Sequence, residues 1–318
     1  MARLDVTDVE AASELTAARP LVGIALKVAA TFSFSLMAAI ARWIGDDYPL
    51  GQVVFFRASF ALVPIAVLMF LNGTRLEELK TERPLSHLLR SIAGVGAMFT
   101  YFAALTYLPL ADVTAISFAS PLFVVALAAI VLGEQVHVYR WSAVAIGFVG
   151  VLIMVSPHLG VSDAYSPVVG LIFAFAASIF TAFAMIAIRR MTATESATAI
   201  ALYFQLTCMG VALATLPFAW VTPTFDGLLL LMLMGVLGGF GQLFMTNSYR
   251  FAQASLIANF DYVAMIWAIL FGWLWFSELP APAVYLGAAI VIGSGLFIAW
   301  RERQLGIERV TERATKPV

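Results

Sequence analysis

Ten long apolar stretches, parted by short polar breaks, run through these 318 residues. A chain built this way has little polar surface to offer water, and it folds where lipid covers most of its outside. The hydrocarbon core of a bilayer is about 30 Å thick and takes about 20 apolar residues coiled as a helix. The stretches approach that length at roughly 21–40, 49–71, 88–107, 110–132, 141–156, 167–188, 198–219, 227–249, 255–276 and 282–300. Composition agrees: 62% of residues are hydrophobic and 12% are charged, too little charge for a soluble protein of this size. No water in the hydrocarbon can satisfy a free backbone N–H or C=O, so spanning segments of this length are helices. The sequence predicts an all-α membrane protein with ten transmembrane helices.

Most breaks carry proline, glycine or charge: Asp46-Asp47-Tyr48-Pro49, Asn72-Gly73, Leu108-Pro109, Ser156-Pro157 and Leu279-Pro280. The connection between the third and fourth spans is nearly continuous. Pro109 and Asp112 place it, because a proline and an acid together are costly in mid-helix within lipid. Basic residues then test number and orientation. With ten helices and a cytoplasmic N-terminus, fifteen of the 18 Lys and Arg fall in cytoplasmic segments. Arg42 alone lies in an outer loop, and Lys27 and Arg57 lie within spans. The positive-inside rule selects that arrangement, with both termini cytoplasmic, over nine or eleven helices. The first twenty residues hold Asp5, Asp8, Glu10 and Glu14 against two arginines, and no cleavage site follows the first stretch. The first span therefore reads as a retained helix rather than a signal peptide. Residues 1–20 and 301–318 read as cytoplasmic tails.

The two halves echo each other. Glu134 closes the fourth span in Val131-Leu132-Gly133-Glu134, and Glu278 closes the ninth in Trp275-Phe276-Ser277-Glu278. Nine residues beyond them stand Ala143 and Gly287. Gly94 and Gly96 in the third span have counterparts in Gly238, Gly239 and Gly241 in the eighth. Five is odd, so a second five-helix unit must enter the membrane from the opposite side, with Glu134 facing the cytoplasm and Glu278 the exterior. The expectation is two inverted repeats, residues 21–156 and 167–300. Such halves can rock about a central site and expose it to each side in turn.

Three stretches add a family likeness: Phe56-Arg57 in the second span, Ser120-Pro121-Leu122-Phe123 through Leu132-Gly133-Glu134, and Phe260-Asp261-Tyr262 through Gly272-Trp273 to Glu278-Leu279-Pro280. With the 5+5 arrangement, the first two resemble the drug/metabolite transporter superfamily in its EamA-domain branch. The third is similar to second repeats of a bacterial subgroup that includes proteins assigned to riboflavin or S-adenosylmethionine uptake. The resemblance covers about residues 20–300. It implies a secondary transporter of the bacterial inner membrane that moves a small organic metabolite and needs no cofactor. Riboflavin uptake is the first substrate it implies; S-adenosylmethionine, amino acids, or drug and metabolite export are the alternatives. The chain departs from the pattern at Ala143, where many members have glycine. It departs again at Gln205, where a second arginine is looked for.

Ionisable groups at membrane depth cost several kcal/mol unless paired or wetted. Arg57 lies about 12 Å below the outer face and Asp261 about 9 Å above the inner face, at 1.5 Å per helical residue. A direct pair between them is strained. Lys27 matches the depth of Asp261 and is the better partner, with snorkelling to the headgroups as its alternative. Arg57 reads either as a ligand for a carboxylate, phosphate or polarised carbonyl, or as a structural donor to carbonyls of neighbouring helices. Asp261, the one acid well inside a span, is the sharpest candidate for coupling. Around it the sequence offers Asn259, Tyr262 and Trp267, Gln242 and Asn247 in the eighth span, Tyr101 in the third, and Tyr203 with Gln205 in the seventh. These side chains could grip a polar or aromatic solute, or bind helices to one another. Asp112 and Arg42 read as groups at helix ends, the latter solvated. Trp43, Trp141 and Trp300 read as interfacial anchors.

Other classes fare worse. His87, His137 and His158 are far apart, so no metal ligand set is seen. No nucleotide-binding glycine loop appears, nor any serine–histidine or paired-acid arrangement at one depth, which speaks against an embedded enzyme. Repeated charge rings of an ion channel are missing. A net charge of −1 gives no reason to expect a nucleic-acid partner. The lone cysteine, Cys208, precludes an intramolecular disulfide. The small-residue step from Gly235 to Gly239 leaves room for close helix packing, within one chain or in a homodimer.

Overall fold

Prolines decide where several helices begin and where two of them stop. The computed structural model describes residues 20–71, 79–81, 83–132, 138–158, 165–191, 195–251 and 258–315, and the regular structure among them is entirely helical. The helices are α1 (Pro20–Trp43), α2 (Leu50–Leu71), α3 (Pro84–Tyr107), α4 (Leu110–Ser117), α5 (Ser120–Leu132), α6 (Val138–Val155), α7 (Tyr165–Met191), α8 (Ala197–Leu213), α9 (Leu216–Ala219), α10 (Phe225–Phe251), α11 (Val263–Phe276) and α12 (Pro282–Thr315), with 3-10 turns at Ser156–His158 and Ala258–Tyr262. Pro20, Pro84 and Pro282 each open a helix, where a missing N–H costs nothing.

Pro121 and Pro217 act in the other direction. A proline ring collides with the carbonyl four residues back, and α4 ends at Ser117 and α8 at Leu213, each four residues before its proline. The expected spans 110–132 and 198–219 are therefore each broken in two. In hydrocarbon the freed carbonyls need other donors. The Ser120 hydroxyl donates to the Ser117 carbonyl at 2.7 Å. The buried Ser178 of α7 donates to the Ile116 carbonyl at 3.1 Å, joining α7 to the break. The expected span 255–276 is likewise not one α-helix: its described part is a 3-10 turn followed by α11. The last helix runs past residue 300 to Thr315, 34 residues in all.

Among the described residues, seven segments are helical, long and apolar enough to cross a membrane: Leu21–Trp43, Leu50–Leu71, Pro84–Tyr107, Leu110–Leu127, Val138–Val155, Pro167–Ile188 and Phe225–Ser248. Three shorter apolar ones are Thr198–Leu213, Phe260–Phe276 and Pro282–Ile298. The outside matches: Leu21, Phe70, Ile130 and Phe218 are each more than three-quarters exposed, a surface that lipid covers and water would not tolerate. Trp43, Trp141 and Trp300 are exposed as well. This is an integral membrane protein.

Contacts between residues before 156 and residues after 165 come in matching sets. The two most extensive are α3 against α7 and α10 against α1, and α6 against α12 is nearly as large. Glycine permits the close approaches. A Cβ on Gly96 of α3 would stand 3.1 Å from the Phe180 ring of α7, and one on Gly241 of α10 would stand 2.8 Å from the Phe34 ring of α1. At the α6–α12 crossing, the Gly150 carbonyl occupies the space that a side chain on Gly287 would need. Glu134, half of the matched pair of acids, lies outside the described residues.

Candidate functional site

Lys27 sits on α1 about 10 Å along the helix from Pro20, at 1.5 Å per residue. Its ammonium lies 2.6 Å from Asp261, with Lys27 2% exposed and Asp261 49% exposed. A buried ammonium without a counter-charge costs several kcal/mol, and Asp261 supplies that charge from the 3-10 turn before α11. The carboxylate thus has one side on a buried cation and another side open. Tyr262, next in the chain, sets its ring edge-on to Phe118 at 5.2 Å, beside the break between α4 and α5. Its hydroxyl rests where a side chain on Gly295 of α12 would be. Trp267 stands edge-on to Phe32 at 5.2 Å, and its indole N–H is buried without an acceptor among the described residues.

Arg57 occupies a second locus. It is 7% exposed, and its Nη1 donates to Oε1 of the buried Gln205 at 2.8 Å. The arginine and the glutamine that stands where a second arginine was looked for are therefore in contact. Nearby is a residue that sequence reasoning counted only as a cytoplasmic charge. The Arg90 guanidinium stacks 3.9 Å above the Phe204 ring of α8. A signal for it was present, since Arg90 falls two residues inside the expected third span and one turn before Gly94.

Other expected residues are dispersed. Asn247 turns its amide onto the Leu243 carbonyl of its own helix at 2.9 Å. The Gln242 side chain makes no hydrogen bond among the described residues. Tyr101 sets its ring beside that of Phe102, centroids 5.9 Å apart. Tyr203 packs against His87, ring centroids 4.5 Å apart. The Asn259 side chain lies outside the described residues.

Each end of the bundle carries a tie between the halves. Arg42, expected to be solvated, is instead largely buried. It donates to the Leu105 carbonyl at 2.8 Å, to the Leu108 carbonyl and to the Glu278 carboxylate, and lies over the Phe276 ring. The turn that presents Glu278 is made by Ser277 in the left-handed conformation, φ 54°, which ends α11 and lets the Glu278 N–H reach the Gly272 carbonyl at 3.0 Å. A cleft of about 310 Å³ adjoins it, lined by Arg42, Trp43, Asp46, Thr106 and Trp275. At the other end, Thr81 donates to Glu195 at 2.8 Å, and His87 Nε2 lies 3.2 Å from the second Glu195 oxygen. The Thr81 hydrogen bond, then His87 and the charge of Arg83, hold the Glu195 carboxyl below the usual carboxylate range, against an opposing cost of desolvation.

A lipid-coated helical bundle with ionised side chains set between its helices at membrane depth has the build of a solute transporter. The comparisons name the family: this chain belongs to the EamA-like transporter family, whose profile matches residues 21–156 and again residues 168–300. It is 30% identical over 271 residues to the pseudopaline exporter CntI of Pseudomonas aeruginosa, covering 85% of this chain and 93% of that one. It is 30% identical over 295 residues to a riboflavin transporter of Rhizobium johnstonii, covering 89% and 93%. It is 28% identical over 273 residues to an S-adenosylmethionine uptake transporter of Rickettsia prowazekii, covering 85% and 90%. One solved crystal structure superimposes with a TM-score of 0.62 at 20% identity, over 89% of this chain and 98% of the other, a likeness of fold.

Proposed function

We propose that this protein is a secondary carrier of the bacterial inner membrane, with both termini cytoplasmic. Its ten membrane helices form two inverted five-helix repeats that pass a small organic metabolite by alternating access. One observation carries the reading: contacts between the halves come in pairs that exchange one half for the other. Gly96 against Phe180 answers Gly241 against Phe34, and Arg57 meets Gln205 at the corresponding position of the other half. Two such halves can rock about the contacts they share and open the centre to either face. The family profile matching once in each half supports the same arrangement.

Asp261 is the coupling group in this reading. Half-open beside Lys27, it can take a proton or a cationic group of the solute and release the ammonium, which then favours a different packing. Arg57 binds an anionic or polarised oxygen of the solute. Asn259, Tyr262, Trp267, Gln242, Asn247 and Tyr101 supply further polar and aromatic contacts as the cavity opens. Riboflavin leads the substrate candidates through the family resemblance and the name of one relative; S-adenosylmethionine, amino acids and exported metabolites follow. The relatives' names include both import and export, and a carrier's net flux follows its gradients.

The test is solute counterflow in proteoliposomes, with cysteines at positions 134 and 278 labelled from each side. A carrier of this build shows saturable counterflow, and the two positions label from opposite compartments. Labelling from the same compartment removes the inverted repeat, and chemical turnover without translocation identifies an enzyme instead. Asp261→Asn should abolish or flatten the pH dependence of transport; unchanged rates at every pH remove its coupling role.

A further inference from the structure

We infer that Arg57 and Arg90 are two arms of an anion-binding subsite, so that the transported solute carries a carboxylate or a phosphate. The inference rests on the carrier reading and narrows its substrate. The two guanidinium groups are held by consecutive residues of one helix: Arg57 by Gln205 and Arg90 by Phe204, both on α8. Cys208 lies one turn further along the same helix and is fully buried. Arg90 starts about 9 Å along α3 at 1.5 Å per residue, and its side chain climbs towards the middle of the bundle. It passes Gly94, where a Cβ would meet Arg90 Nη1 at 2.5 Å. On α10, Gly238 stands against Arg57 of α2. A Cβ there would lie 3.3 Å from Arg57 Nε and 3.6 Å from Nη2. The absent side chains make room for a guanidinium at each place, and both groups are packed inside the bundle.

Neither charge is answered by an acid among the described residues. Among the described residues no carboxylate lies within 4.0 Å of either guanidinium. Arg57 Nε, Arg90 Nε and Arg90 Nη1 are buried donors without an acceptor. A structural role would look like Arg42, which spends its donors on two backbone carbonyls and a glutamate; Arg57 and Arg90 donate to no backbone carbonyl in the described residues. Lys27 is different again, because Asp261 neutralises it. Buried donors of this kind are costly unless something completes them. Gln205 takes only Nη1 of Arg57, which leaves the Nε–Nη2 edge, the edge that grips a carboxylate or phosphate with two parallel hydrogen bonds. Solutes bearing such a group therefore move ahead of uncharged riboflavin among the candidates.

Cys208 is the one cysteine of the chain and is fully buried. A charged reagent therefore reaches it only when the centre opens to take a solute, and its labelling then reports the field at this subsite without any need to know the solute. The full chain in proteoliposomes is treated with a sulfonatoethyl methanethiosulfonate, which is anionic, and with its cationic trimethylammonioethyl counterpart. Each rate is taken relative to that of free cysteine. The subsite predicts a preference for the anionic reagent of about ten-fold, the effect of a local positive potential on a charged reactant. Arg90→Gln should bring the ratio close to one, and Arg90→Lys should keep most of it, with thermal unfolding confirming that both variants are folded. The wild-type ratio stands as a test even if neither variant folds. Equal rates, a cationic preference, an unchanged ratio in Arg90→Gln, or failure of both reagents to reach Cys208 overturns the subsite. If the ratio holds but no solute shows counterflow, the carrier reading fails and the anion subsite remains.

Discussion

Gly96 of α3 lies against Phe180, and Gly241 of α10 lies against Phe34, two crossings of similar tightness in opposite halves of the chain. The charges do not follow that pattern. Lys27, Arg57 and Arg90 belong to the first half, whereas the second half sets Asp261 and the uncharged Gln205 opposite the first two. Packing has to serve both halves alike if either can close against the other, so it tolerates little divergence. Charge is free to differ, and the difference gives the interior its sign. In the carrier proposed above, the comparison separates residues that would let the halves move from residues that would select the solute.

The hardest blow to that comparison is Gln205→Arg, which would restore charge symmetry. Two buried guanidinium groups would then face each other with no acid between them, at a cost of about 3–5 kcal/mol. Unfolding in detergent should show the loss; wild-type stability would mean that water reaches the site and the asymmetry is not enforced. Asp261→Asn should cost about 2–3 kcal/mol, because it leaves the Lys27 ammonium buried without its counter-charge, the figure being lowered by the exposure of Asp261. The double variant with Lys27→Met should recover part of that loss, and a double-mutant cycle measures how much. Gly96→Ala and Gly241→Ala should each cost about 1–3 kcal/mol through overpacking. Unequal costs would break the claim that packing is shared.

The smallest effect concerns the end tied by Glu195. Its carboxyl sits below the unfolded value, chiefly through Thr81. The stability it contributes is complete above the ordinary carboxylate range and fades as pH falls through the lower, folded value. Thr81→Ala should move that loss to higher pH, read as the acid limb of unfolding temperature against pH. An identical acid limb would assign the tie elsewhere.

Much of this was legible in the sequence, for reasons of length. A bilayer fixes how many apolar residues a helix needs, so the spans announce themselves, and Lys27 and Asp261 could be matched by depth because each side chain stays near the level of its own Cα. The charge count set Arg90 among the cytoplasmic residues, but its long side chain climbs a turn to Gly94 and Phe204. It also left Arg42 in water, because nothing local shows that the Leu105 and Leu108 carbonyls and Glu278 converge on it. The breaks before Pro121 and Pro217 were readable from the four-residue rule for proline, yet a continuous apolar run hides them. Ser178, which repairs the first break, comes from another helix. Only the tertiary fold reveals it.

The length of α12 has a mechanical consequence. Its 34 residues make a rod of about 50 Å at 1.5 Å per residue, and only about 30 Å of it can be housed in hydrocarbon. The remainder projects beyond it, its direction set in part by the close Gly150–Gly287 crossing near the start of the helix. Any small change of tilt there is magnified at the far tip, where a fluorophore would register the swing directly.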